Sequence, residues 1–148
     1  MTTTAPRADS RTIALAHYAA RAVLEHVLAP YGVSFLQSVT LRLAVVADGP
    51  VERAAVIDGV TGSVKVPEGD ARRTLGELTT AGLLAAEGPS RVRVTDAGRE
   101  LYDTYSAESA AVSARIYAGI TEEERAVAGR VLTLVTERAD AELAALRR

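Results

Sequence analysis

The chain has 148 residues, 17 of them basic and 19 acidic, for a formal net charge of −2, and 48% are hydrophobic. That length and apolar share fit one compact protomer with a buried core, and the absence of cysteine excludes disulfides, thiolate metal sites and thiol redox sensing. The charge excludes a globally basic nucleic-acid binder, so any contact with DNA must come from local placement of cations.

Residues 1–9 read as a loose polar tail. It lacks an apolar leader, and no later stretch is apolar for long enough to span a bilayer, so a cytoplasmic protein with no membrane partner is expected. Ser10 predicts an N-cap for a first helix that runs to about Ala29, where Pro30 blocks continuation. Ile13, Ala16, Ala20, Leu24 and Val27 recur at helical spacing along it as one stripe. After the break at YGVS, Ser34 predicts the cap of a second helix, FLQSVTLRLAVVA, which stops at DGP. Val51–Ile57 predicts a short third helix, and DGVTGSVKVPEGD reads as a glycine-rich connector.

A fourth helix is expected to begin near Asp70, capped by that residue, with Ala71, Leu75 and Leu78 on its core side. Gly82 follows its last apolar turn, where a left-handed residue ends a helix and glycine adopts it without strain. Leu84 onward and RVRV, separated by the turn EGPS, predict an antiparallel hairpin half exposed to water. Thr95 predicts the cap of a fifth helix lasting to about Ala118, with Leu101, Tyr105, Val112 and Ile116 roughly in line. Thr121 and Glu124 form a capping-box pattern that opens a sixth helix, carrying Val127, Val131, Leu134, Val135, Leu143 and Leu146.

Two helices joined by a connector and followed directly by a short hairpin describe a winged helix-turn-helix. From LTTAGLL through VRVTDAGREL the chain resembles the MarR family of transcription regulators, whose recognition helix ends in Leu-x-x-x-Gly-Leu and whose wing runs into Leu-Thr-x-x-Gly-Arg. Leu78, Gly82 and Leu83 match the first pattern; Thr95, Gly98 and Arg99 match the second, with Val94 in place of leucine. The resemblance implies a mainly α fold with a small β-hairpin, in which a winged helix-turn-helix core over residues 34–94 lies between dimerisation helices at 10–30 and 95–148. It also implies a homodimer that binds double-stranded DNA at a pseudo-palindromic operator, and a small effector held between the dimerisation and DNA-binding regions that weakens this binding.

Length supports the dimer independently. A helix from Thr95 to Ala118 is about 36 Å long, and a second copy is the simplest cover for its stripe and that of the sixth helix.

The candidate DNA-binding residues are Arg72, Arg73 and Thr80 on the outward face of the fourth helix, with Arg53, Lys65, Arg91 and Arg93 around it. Two features depart from the family pattern. The Asp-x-Arg element expected near the wing tip is missing, and the segment between Gly59 and Gly82 reads as several residues longer than a turn plus a recognition helix. From Val51 to Val94 six basic residues meet six acidic ones, so the segment is neutral, and Glu68 and Asp70 fall where phosphates would lie. A winged-helix dimer of the same shape whose main partner is a protein or small ligand, with DNA binding reduced or lost, therefore stays open as the second reading.

No enzyme is expected. His17 and His26 are nine residues apart, on opposite sides of the first helix, and cannot clamp one metal; DGVTGSVK fails the spacing of a phosphate loop. No cofactor is called for. Tyr18, Tyr31, Phe35, Tyr102 and Tyr105 fall on elements where the resemblance puts the effector cleft, and tyrosine offers an apolar body with one polar handle suited to a small aromatic effector. Each also serves as an ordinary packing residue.

Overall fold

The computed structural model describes residues 4–148, and of the expected tail residues 1–3 lie outside the description while 4–9 carry no helix or strand. The chain divides into two units, residues 1–110 and 111–148. Among the described residues six α-helices and three short strands follow one another as α1 (Ser10–Leu28), α2 (Phe35–Ala47), β1 (Val51–Glu52), α3 (Arg53–Val64), α4 (Glu68–Thr80), β2 (Leu84–Glu87), β3 (Arg91–Val94), α5 (Asp96–Tyr117) and α6 (Glu122–Leu146). The fold is mainly α with a small antiparallel sheet, as expected. Among the described residues no helix is long and apolar enough to cross a membrane.

Helix α1 is capped one residue earlier than expected, because the Asp9 carboxylate accepts from the Thr12 N–H at 2.8 Å and leaves Ser10 inside the first turn. A short 3-10 turn, Ala29–Tyr31, follows and ends at Gly32. Helix α2 keeps its expected bounds and a complete capping box, with the Gln37 N–H donating to Ser34 Oγ at 3.1 Å and Ser34 N–H donating to Gln37 Oε1 at 3.0 Å.

The third helix differs most from expectation. Val51 and Glu52 are not helical but form β1, drawn into the sheet opposite Val92 and Arg91 of β3. The glycine-rich connector is largely helix, since α3 continues to Val64. Gly59 acts in packing here. An added Cβ at Gly59 would lie 2.9 Å from Leu43 Cδ1, so the bare backbone lets α2 approach, while Val56, Ile57 and Val60 bury the apolar face. Tertiary burial thus overrides the weak helix preference of glycine. The apparent surplus of residues before Gly82 disappears into α3, and the turn to α4 is only Lys65–Pro67.

Helix α4 starts at Glu68 with Pro67 as N-cap and no side-chain cap, so Asp70 stands in the first turn rather than capping it. Ala71, Leu75 and Leu78 are buried as expected, joined by Thr74, whose hydroxyl donates to the Asp70 carbonyl at 2.8 Å. Gly82 has φ +76°, and the Leu83 N–H donates back to the Leu78 carbonyl at 3.0 Å, closing the helix end as the sequence pattern requires.

The sheet order is β1-β3-β2, with Leu84 opposite Val94 and Ala86 opposite Val92. The expected hairpin is therefore present, with a third strand added. Val92 at its centre is fully buried beside Leu41, Ala44, Val60, Leu75 and Leu84 in one core shared by α2, α3, α4 and the sheet.

Thr95 joins the wing to α5. Its Oγ1 accepts from the Gly98 N–H at 3.0 Å and donates to the Gly82 carbonyl at 2.7 Å, so one hydroxyl caps α5 and ties it to the end of α4. In the second unit α6 opens with a reciprocal Thr121–Glu124 capping box and has no buried residue of its own. The pair lowers the Glu124 carboxyl pKa through the Thr121 hydrogen bonds.

Candidate nucleic-acid interface

The buried side of α4 fixes what its other side presents. With Ala71, Thr74, Leu75 and Leu78 turned inward, Arg72, Arg73, Gly76 and Thr80 are left exposed along the opposite face, and about 60% of each arginine side chain meets solvent. The wing stands next to this face. Backbone hydrogen bonding from Arg53 N–H to the Ser90 carbonyl at 2.8 Å pins the start of α3 to the wing turn. A cleft of about 290 Å³ results, walled by Arg53, Asp58, Glu68, Arg72 and Pro89. Arg53 and Arg72 are thereby brought to one depression, and Arg91 and Arg93 lie two apart on the exposed face of β3. Lys65 occupies the turn before α4 in a left-handed conformation, φ +63°, and its ammonium donates to the Gly62 carbonyl.

The wing is a stub of two four-residue strands. Its arginines are flanked by acids: Arg91 pairs in register with Glu52 on one side and Glu87 on the other, and Arg93 Nε is 3.5 Å from Glu87 Oε2. The same holds on α4. Arg72 Nη2 lies 2.7 Å from Glu68 Oε1, and Arg73 is 3.1 Å from Asp70 and 3.9 Å from Glu77. These i,i+3 and i,i+4 spacings are present in the sequence, and they turn acids that lie unfavourably near DNA into ion-pair partners of the arginines.

The aromatic candidates separate into groups. Tyr31, Tyr102 and Tyr105 converge, with ring centroids 6.4 Å apart for Tyr31 and Tyr105 and 5.5 Å in an edge-on pair for Tyr102 and Tyr105. Tyr18 is 64% exposed and contacts His17, and Phe35 lies under the Arg21 guanidinium at 4.2 Å. Neither contact joins that cluster. The Tyr31 hydroxyl donates to Glu108, a residue no local pattern linked to it because 77 positions intervene; this bond raises the Tyr31 pKa.

Tyr105 is the anchor of the group. It is 3% exposed, burial raises its pKa, and its hydroxyl is the one buried side-chain polar atom without a hydrogen-bond partner among the described residues. Leaving such a group unpaired costs about 1–3 kcal/mol. Tyr105→Phe is therefore expected to stabilise the protein by about 1 kcal/mol, raising Tm by roughly 2–4 °C in a thermal melt. A fall in Tm would mean that the hydroxyl has a partner in solution.

No protein-family model matches the chain, and no curated protein matches it either. Solved structures do. A MarR-family transcriptional regulator from Silicibacter pomeroyi superposes with a TM-score of 0.64 at 24% identity, covering 80% of this chain and 81% of that one. The fold is that of the MarR-family regulators. Two ligand complexes share this MarR-like fold. CouR from Rhodococcus jostii RHA1, bound to p-coumaroyl-CoA, gives a TM-score of 0.72 at 19% identity, covering 84% of this chain and 88% of that one. NadR in complex with 4-hydroxyphenylacetate gives 0.69 at 17% identity, covering 92% and 98%. In this MarR-like frame α4 occupies the second helix of the helix-turn-helix, and β2 and β3 form the wing.

Proposed function

We propose that this chain is a cytoplasmic transcription regulator that acts as a homodimer and grips a pseudo-palindromic DNA site with paired α4 helices. The observation that carries the reading is the exposed face of α4, with Arg72, Arg73 and Thr80 projecting from a helix whose other side is locked into the core. Arg53, Lys65, Arg91 and Arg93 flank that face as backbone-contacting cations.

A second copy is supported by apolar surface that each unit leaves uncovered. Leu15 on α1 is 52% exposed, while Ile116, Tyr117, Ile120, Val127, Leu132 and Val135 are all exposed in the second unit. Side chains of this size, repeated along helices, are characteristic of a surface that a partner buries. In solution a mass twice the 15.5 kDa of one chain is expected from sedimentation equilibrium.

The Tyr31, Tyr102 and Tyr105 cluster supports a small aromatic effector whose binding loosens DNA. CouR and NadR are solved with ligands that contain a phenol ring. Such a ligand is expected to raise Tm, and the Tyr105→Phe variant to lose that rise; no response across diverse aromatic acids would leave the three tyrosines as packing alone.

The neutral balance of residues 51–94 and an acid-flanked wing favour a second reading, a dimer of this shape that binds a protein or small ligand and holds DNA weakly or not at all. Salt dependence separates the two. With the four arginines of two α4 helices on phosphates, log affinity should fall against log salt with a slope of roughly −4; a flat response, or no binding to the DNA upstream of the coding region, selects the second reading.

A further inference from the structure

The arginines of α4 are not simply offered to solvent. Arg72 is held by Glu68, one turn before it, at 2.7 Å, and Arg73 is forked between Asp70 at 3.1 Å and Glu77 at 3.9 Å. Glu77 is itself held in place, accepting from Gln37 Nε2 of α2 at 3.3 Å. Three carboxylates thus share one helix with two guanidinium groups, and the helix is net negative. Both arginines and Glu68 are well exposed and Asp70 partly so, and ion pairs of this kind add little to folding. Their effect on an incoming polyanion is different. An arginine that turns to a phosphate leaves its carboxylate behind, unpaired, at hydrogen-bonding distance from the same place, and two like charges separated by only a few ångströms repel even in water.

We infer that Glu68 and Asp70 are built-in competitors for Arg72 and Arg73 that set the DNA affinity of α4 below what its arginines alone would give. The inference rests on the reading of α4 as the DNA-facing helix. The wing repeats the arrangement, with Arg91 set between Glu52 and Glu87, and Arg93 beside Glu87. In a dimer the effect counts twice. A regulator held weakly in this way releases DNA in response to a small coupling free energy from a second site.

The test is a pair of double variants measured by fluorescence anisotropy on one duplex taken from upstream of the coding region, across a salt series. Glu68→Gln with Asp70→Asn removes the two carboxylates of the first turn and keeps their shape. Glu137→Gln with Glu142→Gln makes the same change in net charge on α6. The α4 variant is expected to bind at least about tenfold tighter at 0.1 M salt, because the arginines then meet phosphate without leaving the Glu68 and Asp70 carboxylates unpaired beside it. The α6 variant should stay within about twofold of the parent, because the same change in net charge removes no partner of an α4 arginine and its diffuse effect is screened by salt.

Equal tightening by both variants overturns the inference, since net charge alone would then account for it. Weaker binding by the α4 variant overturns it as well, by showing that a carboxylate contributes a contact of its own, as Asp and Glu do at cytosine N4. If neither the parent nor the α4 variant binds duplex DNA at any salt, the DNA reading itself fails and the inference falls with it. A parent that binds and an α4 variant that binds no tighter overturns the inference alone. Circular dichroism and sedimentation of both variants establish that folding and assembly are unchanged.

Discussion

Gly98→Ala is expected to destabilise the protein by about 3–5 kcal/mol, more than a methyl group added at any other glycine. A Cβ at this position would stand 2.1 Å from the Leu83 carbonyl oxygen and 3.0 Å from both the Leu83 carbonyl carbon and Val94 Cγ2. Backbone forms most of that wall, and it cannot rotate away as a side-chain tip can. The close approach exists because Thr95 draws three segments together: its N–H donates to the Leu83 carbonyl at 3.1 Å, and its hydroxyl binds both the Gly82 carbonyl and the Gly98 N–H. Any shift that relieves the clash must therefore break the cap of α5 or the closing turn of α4. Gly76 supplies the control. It is helical too, but nothing lies within 4 Å of its would-be Cβ, so Gly76→Ala should gain about 0.5–1 kcal/mol from helix propensity. Urea titration of the two variants against the parent measures both, and a Gly98→Ala variant as stable as the parent would contradict the packing described at this junction.

Replacing Arg72 and Arg73 together by alanine is expected to act on function and leave the fold alone. Each side chain is about 60% exposed, and ion pairs of that kind contribute at most about 1 kcal/mol, so stability should change by less than about 1 kcal/mol. DNA affinity should fall at least about 100-fold, because two copies lose four guanidinium groups from the face proposed to meet the duplex, and each direct contact is worth about 1 kcal/mol or more. The carboxylates of Glu68 and Asp70 would then face phosphate with no neighbouring cation, which deepens the loss. Lysine at both positions should recover the charge-dependent part and not the bidentate geometry. Undiminished binding by a folded, dimeric alanine variant would remove α4 from the DNA interface.

The parts of the fold that could be read from sequence are those in which a local rule and the tertiary packing agree. Ser34 and Gln37, Thr121 and Glu124, Gly82 after Leu78, and Thr95 before Gly98 each satisfy backbone groups within a few residues, and each stands where its pattern places it. Expectation and structure part where the deciding contact lies far away in the chain. Gly59 and Gly62 read as a connector, and burial of Val56, Ile57 and Val60 against the core, with Leu43 close over Gly59, makes a helix of that stretch. Val51 and Glu52 read as helix, and only β3, forty residues on, turns them into a strand. At the candidate site the outward arginines followed from the period of the buried face, whereas Tyr31 meeting Glu108 and the unpaired hydroxyl of Tyr105 depend on how α5 lies against the corner after α1. No local pattern carries that information.

The measurement closest to the centre of this account is a hydroxyl-radical footprint of the protein on the DNA upstream of its coding region. Two copies presenting two α4 helices should protect two patches related by a dyad and centred about 10–10.5 bp apart, or a multiple of that spacing, and both patches should vanish together in the Arg72, Arg73 double alanine variant. A single isolated patch, or protection that survives loss of both arginines, would contradict it.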